Sequence, residues 1–318
     1  MTVATRSAAI IDLRDHFEAT ADPGDPEAVA LAFASAAAEV EAARGGTIYV
    51  PPGEWLLAGA GDDREPVVRL ATPGTRLLGA GMRATRLRLA PGENRAVVGV
   101  KAPGVTLERL TVRGNLDAPP PRGSPHGITM RGDPTFFTIS DVVVESVCGY
   151  GIFVRAVRDD PGLFTHVMLR NVVIDGCGND GIDFKVVRKA TRKARYRSPG
   201  PRAYLRSVSV RDHSVRKPLP GGQAGERGID VRGQLHMHGI EILAVKAGTA
   251  RTKGALGVAF RPHGDSNHGR NGGWSTLENY FISLRPPPDD EGRRGWGISA
   301  AKSIATSVIV ANGTILEI

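Results

Sequence analysis

Two carboxylates occupy the same position in two copies of a short repeated phrase. Asp183 stands in Gly-Ile-Asp-Phe-Lys, and Asp230 stands in Gly-Ile-Asp-Val-Arg. If the two copies lie side by side, these candidate catalytic residues can share a proton, bind a hard cation such as calcium, or act as acid and nucleophile on a glycoside. Asp180 and Glu226 precede the two phrases and would complete the cluster, with Glu226 as a further calcium ligand.

The phrase that carries these acids recurs six times along the chain. It consists of a glycine, usually an isoleucine, a variable residue, an apolar residue and most often a cation, and its copies begin at Gly127, Gly151, Gly181, Gly228, Gly257 and Gly297. Between the copies runs a second pattern, apolar-x-apolar-x-x-apolar, whose central dipeptide predicts a corner. Such a repeat indicates stacked units in which equivalent residues become neighbours. We expect an all-β solenoid of about nine coils, with the variable residue of each phrase on its outer surface.

A row of cations follows from the same register. The residue after each apolar pair gives the candidate substrate-binding residues Arg131, Arg155, Lys185 and Arg232, then Arg261, with Lys302 near the equivalent place in the sixth copy. Like charges on neighbouring strands repel one another, so the row predicts a compensating anion such as an acidic sugar chain. The alternative is that the cations splay into water or pair with nearby carboxylates, Asp183 and Asp230 among them.

The beginning of the chain predicts one helix. Residues 25–44 are rich in alanine, with Asp25 as the capping residue, Pro26 in the first turn, and Gly45-Gly46 ending the helix. We expect residues 1–45 to form an N-terminal arm and capping helix, and residues 46–318 to form the solenoid. The helix would cover the first coil, whereas the last strand has no cover and favours a subunit contact, for instance in a homotrimer.

The composition of the chain favours some classes of binding partner over others. The formal net charge of +8 favours an anionic partner, and an aromatic content of 5% without a stacking series argues against nucleic acid. No apolar run is long enough to span a membrane. The N-terminus lacks the pattern of a secretory signal, which leaves a cytoplasmic, a virion-associated or an extracellular protein open. The two cysteines, Cys148 and Cys177, are expected to be buried apolar side chains.

The opening of the solenoid carries a family resemblance. The alanine-rich helix, then Gly-Gly-Thr-Ile-Tyr-Val-Pro-Pro-Gly-Glu-Trp-Leu-Leu, then the glycine-isoleucine coils resemble the pectate-lyase-like right-handed parallel β-helix superfamily. This resemblance covers nearly the whole chain and implies a single-stranded right-handed parallel β-helix. The superfamily contains lyases, hydrolases, epimerases and phage tailspikes, so it implies a carbohydrate partner, and an extracellular or virion location, without choosing a reaction.

One segment favours a polysaccharide lyase. Residues 257–264 resemble a strand of the chondroitinase B and alginate lyase family, which implies a catalytic role for Arg261. β-Elimination on a uronate polymer needs a neutralised C5 carboxylate, a base for the C5 proton and an acid for the leaving oxygen. The glycine-rich loop that follows contains His263 as a candidate acid or base, His268 as a candidate ligand of the sugar, and Trp274 as a candidate sugar platform.

Two alternatives remain open. Asn179-Asp180-Gly181-Ile182-Asp183 resembles a motif of the polygalacturonases, which implies a glycoside hydrolase with Asp180 as a catalytic carboxylate. A phage tail-type protein that binds or depolymerises a glycan is the third hypothesis, and a stable trimer would favour it.

Overall fold

A computed structural model describes residues 9–17, 22–59, 65–131, 135–158, 166–188, 202–213, 215, 227–233, 235–244, 256–260, 275–284, 296–300 and 308–317. These residues form one α-helix, α1 (Pro26–Ala42), one 3₁₀ turn (Leu13–His16) and twenty strands. The strands are β1 (Ile10–Asp12), β2 (Gly46–Val50), β3 (Gly53–Leu57), β4 (Val68–Leu70), β5 (Thr75–Gly79), β6 (Thr85–Leu89), β7 (Val98–Val100), β8 (Thr106–Arg113), β9 (Ile128–Arg131), β10 (Phe137–Val147), β11 (Ile152–Arg158), β12 (His166–Cys177), β13 (Ile182–Arg188), β14 (Arg202–Arg211), β15 (Arg227–Gly233), β16 (His236–Ala244), β17 (Leu256–Phe260), β18 (Ser275–Leu284), β19 (Trp296–Ala300) and β20 (Val308–Glu317).

The strands form two parallel sheets that the chain visits in turn. The first sheet has twelve strands, with the main order β1-β2-β5-β8-β10-β12-β14-β16-β18-β20, β3 pairing with β6 and β6 with β8. The second sheet has eight strands, in the order β19-β17-β15-β13-β11-β9-β7-β4. Successive coils therefore stack as parallel strands, and the prediction of an all-β, right-handed parallel β-helix with one N-terminal helix is confirmed. The predicted count of about nine coils was too high, since the second sheet has eight strands in the described part of the chain.

The repeated glycines allow the coils to approach closely. A Cβ added to Gly181 would lie 2.7 Å from the carbonyl oxygen of Gly228, and one added to Gly151 would lie 2.7 Å from that of Gly181. Gly127, Gly228 and Gly257 meet the next glycine of the series in the same way. Each glycine is thus required by the backbone of the following coil, which explains why the phrase begins with this residue.

The other sheet bends once in every coil at the predicted corner. The second residue of each corner dipeptide has a φ between 50° and 67°, in Arg109, Asp141, Asn171, Ser207, Gly239, Asn279 and Asn312. Asn171 also donates a side-chain hydrogen bond of 2.7 Å to Asp141 Oδ1, which links two neighbouring corners. Short polar side chains and glycine tolerate this left-handed backbone best, which accounts for most of the residue types found there.

The N-terminal helix forms as the sequence predicts and covers the first coils. Asp25 Oδ1 accepts hydrogen bonds from the backbone N–H groups of Glu27 and Ala28, at 2.9 and 3.3 Å. One face of α1 is buried through Val29, Ala32, Phe33, Ala36 and Val40, and the helix packs against β2, β3 and β4. This contact removes apolar surface from water and covers one end of the solenoid core. The domain boundary at residue 45 stays a prediction.

The opposite end of the first sheet is open among the described residues. There β20 pairs only with β18, and Ile309, Val310, Ile315 and Leu316 are each between 41% and 44% exposed. The predicted subunit contact at this end stays a prediction. In the described part of the chain no helix is both long and apolar enough to cross a membrane. Cys148 and Cys177 are buried and not bonded to each other.

Candidate functional site

The predicted pairing of the two repeated acids is confirmed. In the second sheet β13 pairs with β15, with Asp183 opposite Asp230. Carboxylate oxygens of these two residues and of Asp180 all lie within 4.8 Å of one another. We call Asp180, Asp183 and Asp230 the acid triad. Asp230, which is distant in sequence, therefore joins Asp180 and Asp183 in one cluster because the glycine phrases stack in register.

Alternation along the strands places two of these acids on the outside of the solenoid. Ile182 and Phe184 flank Asp183 and belong to the hydrophobic core, as do the two neighbours of Asp230. Successive side chains of a strand point to opposite faces, so both carboxylates lie on the outer face of the second sheet. Asp180 precedes β13, and its Oδ1 accepts a 2.8 Å hydrogen bond from the backbone N–H of Arg227, the first residue of β15.

The outer face is covered at this point, which the sequence did not predict. Asp183 and Asp230 have no exposed surface, and Asp180 is 2% exposed. Thr129 and Phe153, which precede Asp183 in the same outward row, are 4% and 5% exposed. The acid triad is therefore a buried polar cluster against the outer wall of the solenoid and not an open carboxylate surface.

Each carboxylate of the triad has a cation beside it. Lys185 Nζ lies 2.5 Å from Asp183 Oδ2, and an Arg232 guanidinium nitrogen donates a 2.7 Å hydrogen bond to Asp230 Oδ2. Arg227 places a guanidinium nitrogen 3.9 Å from Asp180 Oδ2. Salt bridging to Lys185 and Arg232, the alternative that the sequence left open, is confirmed for both acids. Each acid of the cluster therefore has a side-chain cation close to it, as buried charges require.

Burial shifts the proton equilibria of the triad. Desolvation, and then the negative charge of Asp230, raise the pKa of Asp180 to about 7 in spite of Arg227. Desolvation also raises the pKa of Asp183, against the hydrogen bond and charge of Lys185. Asp183 Oδ1 is buried without a hydrogen-bond partner among the described residues. The cluster therefore contains an acid whose pKa lies near neutral pH and a carboxylate oxygen that has no hydrogen-bond partner among the described residues.

The predicted row of cations lies in register along the same face. Arg131 stands opposite Arg155, Arg155 opposite Lys185, and Lys185 opposite Arg232. Lys101 extends the row by one coil, because Val100 pairs with Met130 immediately before Arg131. We call these five residues the cation row. Lys101 was missed in the sequence because its phrase, Val98-Gly99-Val100, lacks the leading glycine and isoleucine.

Two aromatic rings lie beside part of the cation row. Lys185 Nζ lies 5.1 Å from the ring centre of Phe153 and 5.6 Å from that of Tyr150. The Arg131 guanidinium lies 5.5 Å from the Phe153 ring centre, and the two rings stack at 5.3 Å. Cations over ring faces are stabilised, which offsets part of the repulsion within the row. Burial raises the pKa of Tyr150, so its hydroxyl stays protonated.

His126 joins this aromatic group at the end of a neighbouring coil. Its ring centre lies 5.0 Å from that of Tyr150 and 5.4 Å from that of Phe153. Its Nδ1 accepts a 3.1 Å hydrogen bond from the backbone N–H of Tyr150, which leaves the proton of the neutral ring on Nε2. Desolvation, together with the charges of Arg131 and Lys185, lowers the pKa of His126 to about 3. The imidazole is therefore neutral over the working range of most enzymes.

Several predicted site residues lie outside the part of the chain that the structure describes. Their roles stay predictions, and they are Glu226, Arg261, His263, His268, Trp274 and Lys302.

The triad offers carboxylate oxygens, which are the type of ligand that calcium prefers. Three carboxylates within 4.8 Å of one another could hold a hard cation. The positions of Lys185 and Arg232 show, however, that side-chain cations already neutralise Asp183 and Asp230. A calcium ion on these residues would have to displace the lysine ammonium from Asp183. The predicted calcium site therefore stays a prediction, with a side-chain alternative built into the same cluster.

Comparisons with known proteins give matches among solved structures. No protein-family model matches the chain, and no curated protein matches it. Among solved structures, the A-module of mannuronan C-5 epimerase AlgE4 from Azotobacter vinelandii is similar with a TM-score of 0.43 and 19% identity, covering 96% of this chain and 95% of that chain. A pectin methylesterase from carrot gives a TM-score of 0.42 and 10% identity over 86% and 73% of the two chains.

A viral protein is similar to the same extent. The enzymatically active domain of tailspike protein 2 from bacteriophage CBA120 gives a TM-score of 0.45 and 10% identity, over 98% of this chain and 43% of that chain. The parallel β-helix that the sequence resemblance implied is confirmed by the strand order of this structure.

Proposed function

We propose that this protein is a carbohydrate-active enzyme that cleaves an acidic, uronate-containing polysaccharide by β-elimination. The observation that carries the proposal is the register of β13 and β15, which sets Asp183 and Asp230 beside two members of the cation row. A polymer with one carboxylate per sugar that lies along the solenoid axis would contact the cation row over several coils and the acid triad at one coil. Neither feature alone would select this substrate class.

The residues of the cluster match the three requirements of elimination. Lys185 and Arg232 would pair with the sugar carboxylate and stabilise the negative charge that develops when the C5 proton leaves. Asp183, through its unpartnered Oδ1, would accept that proton. The C5–H electron pair then forms the C4–C5 double bond, the C4–O4 bond breaks, and Asp180 donates its proton to the departing oxygen.

The substrate would reach the triad through its cations. The side chains of Arg232 and Lys185 retain 21% and 11% of their exposed area, whereas those of Asp183 and Asp230 retain none. A sugar carboxylate that takes over the bonds of Arg232 or Lys185 also frees the aspartate that each one holds. Substrate binding would thereby activate the base.

A second candidate, a glycoside hydrolase, is supported by the raised pKa of Asp180. A carboxylic acid with a pKa raised to about 7, beside further carboxyl groups, is an arrangement that glycosidases use. In this reaction water enters the products, and no double bond forms. The phage tail-type hypothesis, and an extracellular or virion location, also stay predictions.

The chemistry of the products tests the proposal. The purified protein is incubated with polygalacturonate, alginate and a neutral glucan, each with and without a chelator. We expect ultraviolet absorbance from an unsaturated sugar end on an acidic polymer, and fragments that are lighter than hydrolysis products by one water. Reducing ends without this absorbance would favour the hydrolase, and the absence of cleavage on every acidic polymer would contradict both reactions. Loss of activity in chelator, with recovery on adding calcium, would support the calcium prediction.

A further inference from the structure

A cavity lies on the same outer face as the acid triad, closer to the N-terminus. It has a volume of about 390 Å³ and is formed by β7 and β9 together with the segments that precede β4 and β9. Its wall includes Pro66, Lys101, His126, Thr129 and Arg131. We call it the upstream pocket. None of the residues of the acid triad lines it, so it is a separate site on the same face.

We propose that the upstream pocket is a binding subsite for an acidic sugar residue, with Arg131 as the receptor of its carboxylate. This proposal rests on the proposed function, because it takes the ligand from the same polymer. Its volume falls within the range of small-molecule sites and accommodates a sugar ring. Pro66, Ala96 and Pro125 contribute apolar residues to the lining.

The electrostatics of the pocket identify Arg131 as the receptor. Lys101 is already paired with Glu65 at 2.7 and 2.9 Å, and Arg95 lies 3.6 Å from Glu93. Arg131 is exposed, its guanidinium carbon lies 5.5 Å from the ring centre of Phe153, and it has no carboxylate within ion-pair distance among the described residues. A planar guanidinium that lies over a ring and has no such carboxylate beside it is suited to a carboxylate ligand, which it binds through two parallel hydrogen bonds.

A neutral histidine adds a directional group to the wall. His126 lines the pocket, and its Nδ1 is occupied by the backbone N–H of Tyr150. The remaining nitrogen, Nε2, carries the proton and can donate to a sugar hydroxyl or ring oxygen. Because the ring is uncharged, it contributes orientation to the subsite, and the charge comes from Arg131.

The position of the pocket relates it to the triad. Arg131 lies on β9 and Asp183 on β13, with β11 between them. Parallel strands are spaced by about 4.8 Å, so these two coils are about 10 Å apart along the solenoid axis. A short oligosaccharide spans this distance, and Phe153 on β11 lies between the two sites in the outward row. The pocket would therefore hold a sugar upstream of the bond that is cleaved and fix the direction of the chain.

Binding measurements test the subsite independently of turnover. The probes are trigalacturonate and the neutral maltotriose, titrated by calorimetry into the wild-type protein and into Arg131→Gln, Arg131→Lys and Arg170→Gln. Arg170 is an equally exposed arginine on the other sheet and serves as the matched control. We expect Arg131→Gln to weaken trigalacturonate binding by about tenfold, which corresponds to the loss of one charge-assisted contact. Arg131→Lys should have an affinity between those of the wild type and Arg131→Gln. Arg170→Gln should bind with the affinity of the wild type. We expect maltotriose to bind far more weakly than trigalacturonate.

The possible failures are distinguishable. Equal affinity of wild type and Arg131→Gln for trigalacturonate, or equal affinity of wild type for both sugars, would overturn the pocket as an acidic subsite even where the protein cleaves a polyuronate. If Arg131→Gln weakens trigalacturonate binding but the wild-type protein cleaves no polymer, the pocket is supported and the proposed function is rejected. Melting temperatures of the variants show that each is folded.

Discussion

At the scale of single residues, the three acids of the triad are paired unequally with cations. Asp183 and Asp230 are held by Lys185 and Arg232 at 2.5 and 2.7 Å, whereas Asp180 has its cation 3.9 Å away and a pKa raised to about 7. The environment thus distinguishes acids of one type by how closely each is paired. Two predictions follow from this difference in pairing.

The first prediction concerns Asp180 and the pH dependence of stability. Its pKa in the folded protein, about 7, lies above the ordinary value of 3.8, so the folded state keeps a proton that the unfolded chain loses. The contribution of Asp180 to the free energy of unfolding therefore falls as pH rises from about 4 to about 7. Asp180→Asn keeps an acceptor for the Arg227 N–H and has no charge to bury. We expect it to raise the melting temperature at pH 8 relative to wild type and to have little effect at about pH 4.

A matched control strengthens this comparison. Asp175 is an exposed acid on β12, and Asp175→Asn should leave the pH profile of the melting temperature unchanged. If the wild-type and Asp180→Asn profiles run parallel from pH 4 to 8, Asp180 does not hold a proton in the folded state.

The second prediction concerns the pair of Lys185 and Asp183. Lys185→Met retains a stem over Phe153 but leaves a buried carboxylate without its cation, so it should lower the free energy of unfolding by roughly 3–5 kcal/mol. Adding Asp183→Asn to Lys185→Met should recover much of this loss, because the buried charge is then gone. Urea unfolding of the two single variants and the double variant measures the coupling. Strictly additive effects would show that the two side chains do not interact.

At the scale of elements, the glycine phrase determines which residues become neighbours. Its period predicted that Asp183 and Asp230 would face each other and that a row of cations would run from Arg131 to Arg261. The pairings of β9, β11, β13 and β15 confirm the facing acids, and the row as far as Arg232. Lys101 was not predicted because its coil lacks the phrase. The burial of the acids was not predicted either, because it depends on contacts between coils that a strand-by-strand pattern does not encode.

The third prediction concerns the glycine at the start of β13. A Cβ on Gly181 would lie 2.4 Å from Val210 Cγ1 and 2.7 Å from the Gly228 carbonyl oxygen, so the next coil would have to move. We expect Gly181→Ala to lower the free energy of unfolding by roughly 1–3 kcal/mol, the usual cost of overpacking. The control is Gly81→Ala, whose Cβ would meet only Ala84 Cβ at 3.4 Å. Equal stability of the two variants in thermal unfolding would contradict the close approach of the coils.

At the scale of the whole molecule, the two ends of the solenoid differ. Helix α1 packs over the first coils, whereas β20 exposes several apolar side chains at the edge of the first sheet. An exposed strand edge of this kind favours pairing with another copy of the chain. The prediction of a trimer from the sequence therefore has a candidate surface.

The fourth prediction addresses that surface. We expect the wild-type protein to have a mass above the 33.7 kDa of one chain, near three times that value for a trimer. Leu316→Lys places a charge on the exposed edge and should reduce the mass in solution to that of one chain. Ile10→Lys, an equally drastic change at the exposed residue of β1 at the other end, should leave the mass unchanged. Light scattering coupled to size exclusion measures all three, and a wild-type mass of one chain at high concentration would rule the contact out.

The central claim is that the acid triad and the cation row act together on one acidic sugar chain. A crystal structure of the Asp183→Asn protein with trigalacturonate bound tests it most directly. The account predicts that the sugar chain lies along the outer face of the second sheet, with one carboxylate hydrogen-bonded to Lys185 or Arg232 and its C5–H directed at residue 183. A sugar bound on the first sheet, or bound with no carboxylate in contact with the cation row, would contradict the account.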